Sequence, residues 1–289
     1  MEVFGIYANR TKDNAITAAI SAVDFLLNQG VKCLVEPLIF NLLSEEQKSL
    51  VEQHNLNEFQ NSADAVLSFG GDGTLLLVAS ALLHSEIPVM GFNVGKLGFL
   101  AEFNVDELVV SLKDLLSGNF RLIERTVLET SFNSTKYYAL NDFVVEKQFT
   151  SKMITVRTYS DDHFVGEYRA DGLILTTPTG STAYNLSCSG PIIAPSARVV
   201  CVTPISPHTL TIRPLVIPDT NEITFELMET GDGAILVADG HTIGIIQESD
   251  KISFKVSDLK VKLIKPKKTS FYDVLRNKFL WAATTIEKV

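Results

Sequence analysis

The pattern of apolar residues changes once along the chain, near residue 120, and that change limits the fold more than any other feature. Upstream of it, short apolar runs alternate with helical spacings, which is the mark of an α/β layer with a largely parallel, doubly wound, Rossmann-like sheet. Val3 to Tyr7 reads as a strand, and Ile16, Ala19, Ile20, Val23, Leu26 and Leu27 then recur at helical spacing up to Gly30, where a helix end favours a left-handed residue. Val31 to Val35 is the next strand, Ser44 to Gln47 has capping-box spacing, and Ala65 to Phe69 is an apolar strand. That strand runs into Gly70-Gly71-Asp72-Gly73-Thr74 and an apolar helix over Leu75 to Leu83; a strand over Ile87 to Phe92 and a helix over Val105 to Leu116, closed by Gly118, complete the layer.

Downstream, helical periods give way to β-rich runs separated by turn residues. Strands are expected at Leu122 to Phe132, Tyr137 to Val145, Ile154 to Tyr159, Phe164 to Tyr168, Leu173 to Thr176, Val199 to Val202, Leu210 to Val216, Ile223 to Leu227, Ala234 to Ala238, Ile252 to Val256 and Val261 to Ile264. Phe271 to Leu280 is helical again. The expected organisation is an α/β domain over 1–118, a mostly β domain over 119–267, and a tail over 268–289 that packs back on the first.

Composition narrows the function. With 46% hydrophobic residues in 289, the chain has ample material for a core, and a net charge of −9 argues against broad attraction to nucleic acid or anionic membrane. Any bound phosphate must therefore be met locally. No uncharged apolar stretch approaches the ~20 residues that span a bilayer, and no basic leader precedes the first strand. Cys33, Cys188 and Cys201 form no CxxC pair and read as buried, inert thiols in a reducing compartment, so a cytoplasmic protein is expected.

The turn at 70–74 lies between a strand and a helix, so its backbone N–H groups face an anion at the C-terminal edge of the sheet. Gly70, Gly71, Gly73 and Thr74 are the expected phosphate-binding positions. Asp72 conflicts with that role: a carboxylate beside a phosphate costs roughly 1–4 kcal/mol at contact. It should have a compensating task, such as accepting a proton from an attacking hydroxyl or holding a metal ion. The common nucleotide motifs are missing, since GFNVGK at Gly91–Lys96 is one residue short of a P-loop and Leu76 stands where GxGxxG needs its third glycine. A second segment, DGLILTTPTGSTAYNLS at residues 171–187, crowds Thr176, Thr177, Thr179, Ser181, Thr182 and Ser187 into one loop. Hydroxyls of this kind bind sugars and phosphates, and Tyr184 offers a face for stacking on a base. A threonine-rich turn at a sheet edge is the plain alternative.

Together these segments resemble the NAD kinases. Residues 70–74 and 171–187 carry the likeness, and GFNVGKLGFL, Asn141-Asp142, Tyr168 to Gly172, PISPHTL at 204–210 and Arg213-Pro214-Leu215 follow in the family's order. The resemblance implies phosphorylation of NAD to NADP with ATP or polyphosphate as donor. It implies that Asp72 accepts the proton of the adenosine ribose 2′-hydroxyl with Gly73 beside it. Asn141, Asp142 and Asp171 would contact the nucleotide, and Thr182, Ala183, Tyr184, Asn185, Leu186 and Ser187 would cradle it. Lys152, Arg169 and His241 stand where the family places further contacts. Lys96 or Arg169 would neutralise phosphate charge together with a divalent cation, magnesium being the expected ion. A homodimer or homotetramer is implied, with no nucleic-acid or membrane partner. Where the family continues Ala-Gly-Gly after the cradle, this chain has Cys188-Ser189-Gly190, one permissive glycine fewer. The family often has Glu where Asp142 stands and Gln where His241 stands. A diacylglycerol- or sphingosine-type lipid kinase, which shares the GGDGT turn but has no use for residues 171–187, remains an alternative. So does a dinucleotide-binding regulator without catalysis.

Overall fold

The computed structural model describes residues 1–95, 98–149, 152–231 and 233–281. Along the chain the elements are β1 (Val3–Ala8), α1 (Asp13–Asn28), β2 (Lys32–Val35), α2 (Pro37–Leu42), α3 (Glu45–Lys48), β3 (Val51–Gln53), β4 (Ala65–Gly70), α4 (Asp72–Ala81), β5 (Val89–Asn93), β6 (Phe103–Asn104), α5 (Leu108–Leu116), β7 (Phe120–Phe132), β8 (Thr135–Ala139) and β9 (Asp142–Lys147). They continue as β10 (Ile154–Ser160), β11 (His163–Ala170), β12 (Gly172–Thr176), α6 (Tyr184–Ser187), β13 (Val199–Ile205), β14 (Leu215–Pro218), β15 (Ile223–Glu229), β16 (Ala234–Ala238), β17 (His241–Ile246), β18 (Lys251–Pro266) and α7 (Phe271–Phe279). The chain divides into two compact units, residues 1–124 with 261–289, and residues 125–260. Among the described residues no helix is long and apolar enough to cross a membrane.

The first unit is the expected α/β layer with a parallel sheet. Its strands run β5-β4-β1-β2-β3, all parallel, and the last part of β18 pairs in parallel with β5 through Leu263 and Ile264. The core forms where the buried stripe of α1 (Ala15, Ala19, Ala22, Val23, Leu26) meets Phe4, Ile6, Cys33, Val35, Leu67 and Phe69 on the strands. Phe69 stacks on Phe92 at 4.8 Å between centroids. Burial pushes the Cys33 thiol up to about 12, so it stays protonated and inert. Ser44 caps α3 reciprocally with Gln47, as the spacing predicts. Sequence periodicity missed α2, a six-residue helix started by Pro37, whose fixed φ suits the first helical position.

The second unit is the expected mostly β fold. One antiparallel sheet runs β14-β13-β12-β9-β16-β17, and a second set pairs β11-β10-β15 with the first part of β18. Alternation does the sorting: Phe143, Val145, Leu173, Leu175, Leu236 and Phe254 face the shared core, while Val144, Ile174 and Val237 face the opposite side of the first sheet. Burial raises the Cys201 thiol as well.

Three expectations for strands are corrected. The run Tyr137 to Val145 is two strands, broken at Leu140-Asn141 because the amides of 140–142 leave the ladder to bind the Asp239 carboxylate. The strand expected from Leu210 starts only at Leu215, because Pro214 supplies no ladder donor and Arg213 binds the carbonyls of Leu210 and Ile212 instead. The runs at 252–256 and 261–264 are one strand, β18. The segment His241–Ile246, not foreseen as a strand, pairs with β16 across the turn Asp239-Gly240, whose residues have φ of 45° and 81°. Both angles are left-handed, as the tightest hairpins require.

Candidate functional site

In the first unit the sheet reverses its order between β1 and β4: β2 and β3 lie on one side, β5 on the other. Ligands of open α/β sheets bind outside the carboxyl ends of the strands at such a switch point. The turn 70–74 sits there. Gly70 ends β4, Gly71 is the N-cap of α4, and Asp72, Gly73 and Thr74 form its first turn. The first N–H groups of a helix have no intrahelical partner. Gly73 is exposed with open space where a Cβ would project, so a ligand can approach the backbone closely. Thr74 lies under the turn, its hydroxyl bound by Asn9 Nδ2 at 3.0 Å. A Cβ on Gly70 would collide with that threonine.

The Asp72 carboxylate is held by a second loop. Oδ2 accepts from the Phe99 amide at 2.8 Å, and Oδ1 accepts from the amides of Leu100 at 3.0 Å and Ala101 at 2.9 Å. Bonds to a charged acceptor are each worth about 1.5–3 kcal/mol, so three outweigh the roughly 1–4 kcal/mol of repulsion from a neighbouring phosphate. This resolves the conflict posed by an acid in an anion-binding turn. The carboxylate offers about four lone-pair sites, and the three amides leave one on Oδ2. Gly98 is required next to it, since a Cβ there would overlap Asp72 Oδ1. The loop is pinned at its far end by Lys265, which donates to the Leu100 carbonyl at 2.6 Å and pairs with Glu102 at 2.7 Å; Lys265 is 1% exposed. Phe279 on α7 packs on Phe99, with Lys278 4.5 Å above the Phe99 ring. The sequence marks Phe99 and Leu100 only as part of GFNVGKLGFL and assigns them no role, and the basic cluster Lys265 to Lys268 reads there as a solvated connector; that expectation is corrected for Lys265, which burial and its bonds to Leu100 and Glu102 fix inside the first unit. Lys12 likewise has no role assigned from the sequence; its ammonium lies 3.9 Å from where a Gly71 Cβ would stand, a cation beside the anion-binding turn. Lys96 lies outside the described residues.

In the second unit the 171–187 segment comprises β12, a loop over 177–183 and α6. The buried hydroxyls of Thr176, Thr177 and Ser181 bind backbone carbonyls. Thr176 and Thr177 donate to the carbonyls of Asn141 and Leu140, at 3.1 and 2.6 Å, and Ser181 donates to Pro178. Asn185 is likewise spent: its amide nitrogen donates to Ser181 and Pro191, and its oxygen accepts from Thr203 at 2.6 Å. Thr182, Ala183 and Leu186 are half-buried, and Tyr184 and Ser187 are exposed. Ser187, Cys188, Ser206, Leu210 and Arg213 line a cavity of about 450 Å³. Where the family has a glycine, Ser189 adopts φ of 63°.

Asp142 opens β9 at 4% exposure, with Asn141 just before it. Burial, and then the charge of Asp239, push the Asp142 carboxyl up to about 7. Asp239 is also raised by burial, opposed by its three backbone partners and by His241. Tyr184 and Cys188 feel the charges of Asp142 and Glu146, and Tyr184 that of Asp171, which places these groups on one patch. Asp171 pairs with Lys147 at 2.6 Å. Lys152 and Arg169 are exposed at the ends of β10 and β11, and His241 is exposed at the start of β17. Among the described residues no group of three or more His, Cys, Asp or Glu could hold a metal ion.

The sequence matches the family model of the ATP-NAD kinase N-terminal domain over residues 4–120 and that of the ATP-NAD kinase C-terminal domain over residues 140–266. A NAD kinase of Cytophaga hutchinsonii is 40% identical, with 96% of this chain and 98% of the relative covered. One from Flavobacterium johnsoniae is 37% identical, with 89% and 90% covered. Yeast NADH kinase, solved in complex with NADH, has the same fold, with a TM-score of 0.87 at 23% identity over 100% of this chain and 90% of that one. An NAD kinase from Archaeoglobus fulgidus, solved with ATP, superposes with a TM-score of 0.75 at 25% identity over 96% and 98%.

Proposed function

The chain belongs to the NAD kinase family, and on that premise we propose that it transfers the terminal phosphoryl group of ATP to the adenosine ribose 2′-hydroxyl of NAD, with Asp72 as proton acceptor. The observation that carries this reading is the Asp72 carboxylate: three amides fix its plane and leave one lone pair on Oδ2 for an incoming hydroxyl. Phosphoryl transfer needs little covalent help from protein, so catalysis is positioning and charge neutralisation. The amides at the start of α4 and Lys12 would receive donor phosphates. A divalent cation, magnesium being the expected one, would be carried mainly by the donor phosphates, since among the described residues no group of three or more His, Cys, Asp or Glu could hold one. When bound it would supply charge neutralisation across the donor phosphates. In the second unit Asn141, Asp142 and Asp171 would take the nucleotide, with the Tyr184 ring as a stacking face. Arg169, Lys152 and His241, all exposed, would add contacts at the rim. The backbone from Thr182 to Ser187 would cradle the ligand, with the Asn185 side chain shaping that backbone and not touching NAD. A cytoplasmic homodimer or homotetramer, and polyphosphate as a second donor, belong to the same proposal.

Incubating the protein with ATP, magnesium and NAD, then reading NADP with an NADP-specific dehydrogenase, tests the activity. NADP formation is expected, and none from folded protein refutes the reading. Replacing ATP by polyphosphate in the same assay tests the donor. Asp72→Asn should retain NAD binding by calorimetry and lose about 100-fold or more in kcat, at the low end of what a positioned proton acceptor contributes. Full turnover in that variant would remove Asp72 from its role.

A further inference from the structure

Asn141 and Asp142, the proposed contacts to NAD, are held in place by an acid of the β16–β17 turn. Both belong to the break between β8 and β9, where the chain leaves the ladder and three successive amides, of Leu140, Asn141 and Asp142, point at one acceptor. That acceptor is the Asp239 carboxylate, with Oδ2 2.7 Å from the Leu140 nitrogen and Oδ1 2.8 and 3.0 Å from those of Asn141 and Asp142. The carbonyls of the same break are taken on the other side: Leu140 by the Thr177 hydroxyl, Asn141 by the Thr176 hydroxyl and the Thr177 amide. Gly180 allows this approach, because a Cβ there would collide with the Asn141 carbonyl. Both edges of the peptide are thus occupied.

We propose that Asp239 is a positioning residue for NAD: it orients the Asn141-Asp142 turn through the three amides. The inference rests on the reading that this turn holds the dinucleotide. Asp239 itself need not touch NAD. It comes from the tight Asp239-Gly240 turn, which also sets His241 at the start of β17, so one hairpin end orders two of the proposed contacts.

The electrostatics give the proposal a signature that a purely structural aspartate lacks. Asp142 faces Asp239 from the β16–β17 turn, Glu146 from its own strand, and Tyr184 and Cys188 from α6, with Asp171 near Tyr184 and His241 near Asp239. Burial and Asp239 together bring its carboxyl to about 7, the first cause being burial. An ionised carboxylate accepts ligand hydroxyl or amino protons more strongly than a neutral acid. NAD capture should therefore strengthen as pH rises through about 7. Removing the Asp239 charge removes one of the two causes, so Asp142 ionises at lower pH.

The test is steady-state kinetics of the full chain at saturating ATP from pH 5.5 to 8.5, for the wild type, Asp239→Asn and Asp142→Asn. In the wild type kcat/KM for NAD is expected to rise through neutrality. Asp239→Asn keeps an oxygen acceptor of the same shape; its inflection should move to lower pH. At pH 8.5, where Asp142 is ionised in both, its KM for NAD should remain about tenfold above wild type, as loss of one charge-assisted contact implies, with kcat within about twofold. A KM within twofold of wild type at pH 8.5 and an unmoved inflection, while Asp142→Asn raises KM, overturns the role of Asp239 and leaves the assignment of the turn standing. If Asp142→Asn leaves KM unchanged, the turn does not hold NAD and both fall. If Asp239→Asn does not fold, Asp239→Glu takes its place: it keeps the charge but displaces the acceptor by one methylene, so a raised KM for NAD at pH 8.5 is expected, and a KM within twofold of wild type overturns the proposal.

Discussion

Two residues show how a single side chain sets local conformation or charge. Ser189 occupies the left-handed region at φ 63°, which costs an L-residue roughly 1–2 kcal/mol relative to glycine, while a glycine there would give back part of that in unfolded-chain entropy. Ser189→Gly is therefore expected to stabilise the protein by about 0.5–1 kcal/mol, a rise of about 1–3 °C in Tm for a chain of this size, read by thermal unfolding. No rise, or a fall, would show that the loop has relaxed around the serine. Asp142 illustrates the charge side. Its folded pKa, about 7, lies above its ordinary value of 3.8, so the folded state holds the proton longer than the unfolded chain. Its contribution to stability is full below pH 3.8 and is lost as pH rises through about 7. Asp142→Asn, neutral at every pH, should leave Tm little changed near pH 4 and raise it progressively up to pH 8. A Tm difference independent of pH would contradict the buried charge.

At the scale of elements, the turn after β4 and the loop before β6 form one device. The GGDGT turn was legible in the sequence because a strand, two glycines and an apolar helix are local signals, and the α/β-to-β change near residue 120 was legible for the same reason. The partners of Asp72 were not. Phe99, Leu100 and Ala101 lie 27 to 29 residues on, and Lys265 reaches Leu100 across a separation of 165 residues. The pairing of β4 with β5 brings that loop to Asp72, the pairing of β5 with β18 brings Lys265 to the loop, and pairing is invisible to periodicity. The hydroxyl-rich segment was misread in part for a related reason. Composition gives the number of hydroxyls, not their direction, and Thr176, Thr177 and Ser181 turn inward to the backbone. The device makes a specific demand on Gly98, where a Cβ would overlap Asp72 Oδ1. Gly98→Ala must shift the loop or turn the carboxylate, and kcat is expected to fall about tenfold or more, since a misplacement of about 1 Å can cost 100-fold. Tm should change by less than Lys265→Met changes it, because that second variant leaves Glu102 buried without its cation. Steady-state kinetics beside thermal unfolding separates the two, and an unchanged kcat in Gly98→Ala would show that the loop does not set Asp72.

At the scale of the molecule, the chain leaves its first unit at residue 124 and returns at 261, so that unit is built from two separated pieces. The returning piece is not an appendage. It supplies Ile264 to the core, the parallel neighbour of β5, and the ammonium that pairs with Glu102. It also supplies carbonyls at Pro266 and Thr269 for the Arg121 guanidinium. Residues 1–124 alone would expose the edge of β5, a parallel strand built for burial on both sides, and would bury Glu102 without a partner. Since β7 pairs with β18, the two breakpoints lie on neighbouring strands and a short glycine-rich linker can join them. Residues 1–124 are thus expected to aggregate or remain partly folded, and a fusion of 1–124 to 261–289 through such a linker to unfold cooperatively. Circular dichroism melts and size-exclusion chromatography of the two proteins provide the check. Cooperative, monomeric folding of 1–124 by itself would mean that the returning strand and helix add little to the unit, and that Lys265 is dispensable to the loop that holds Asp72.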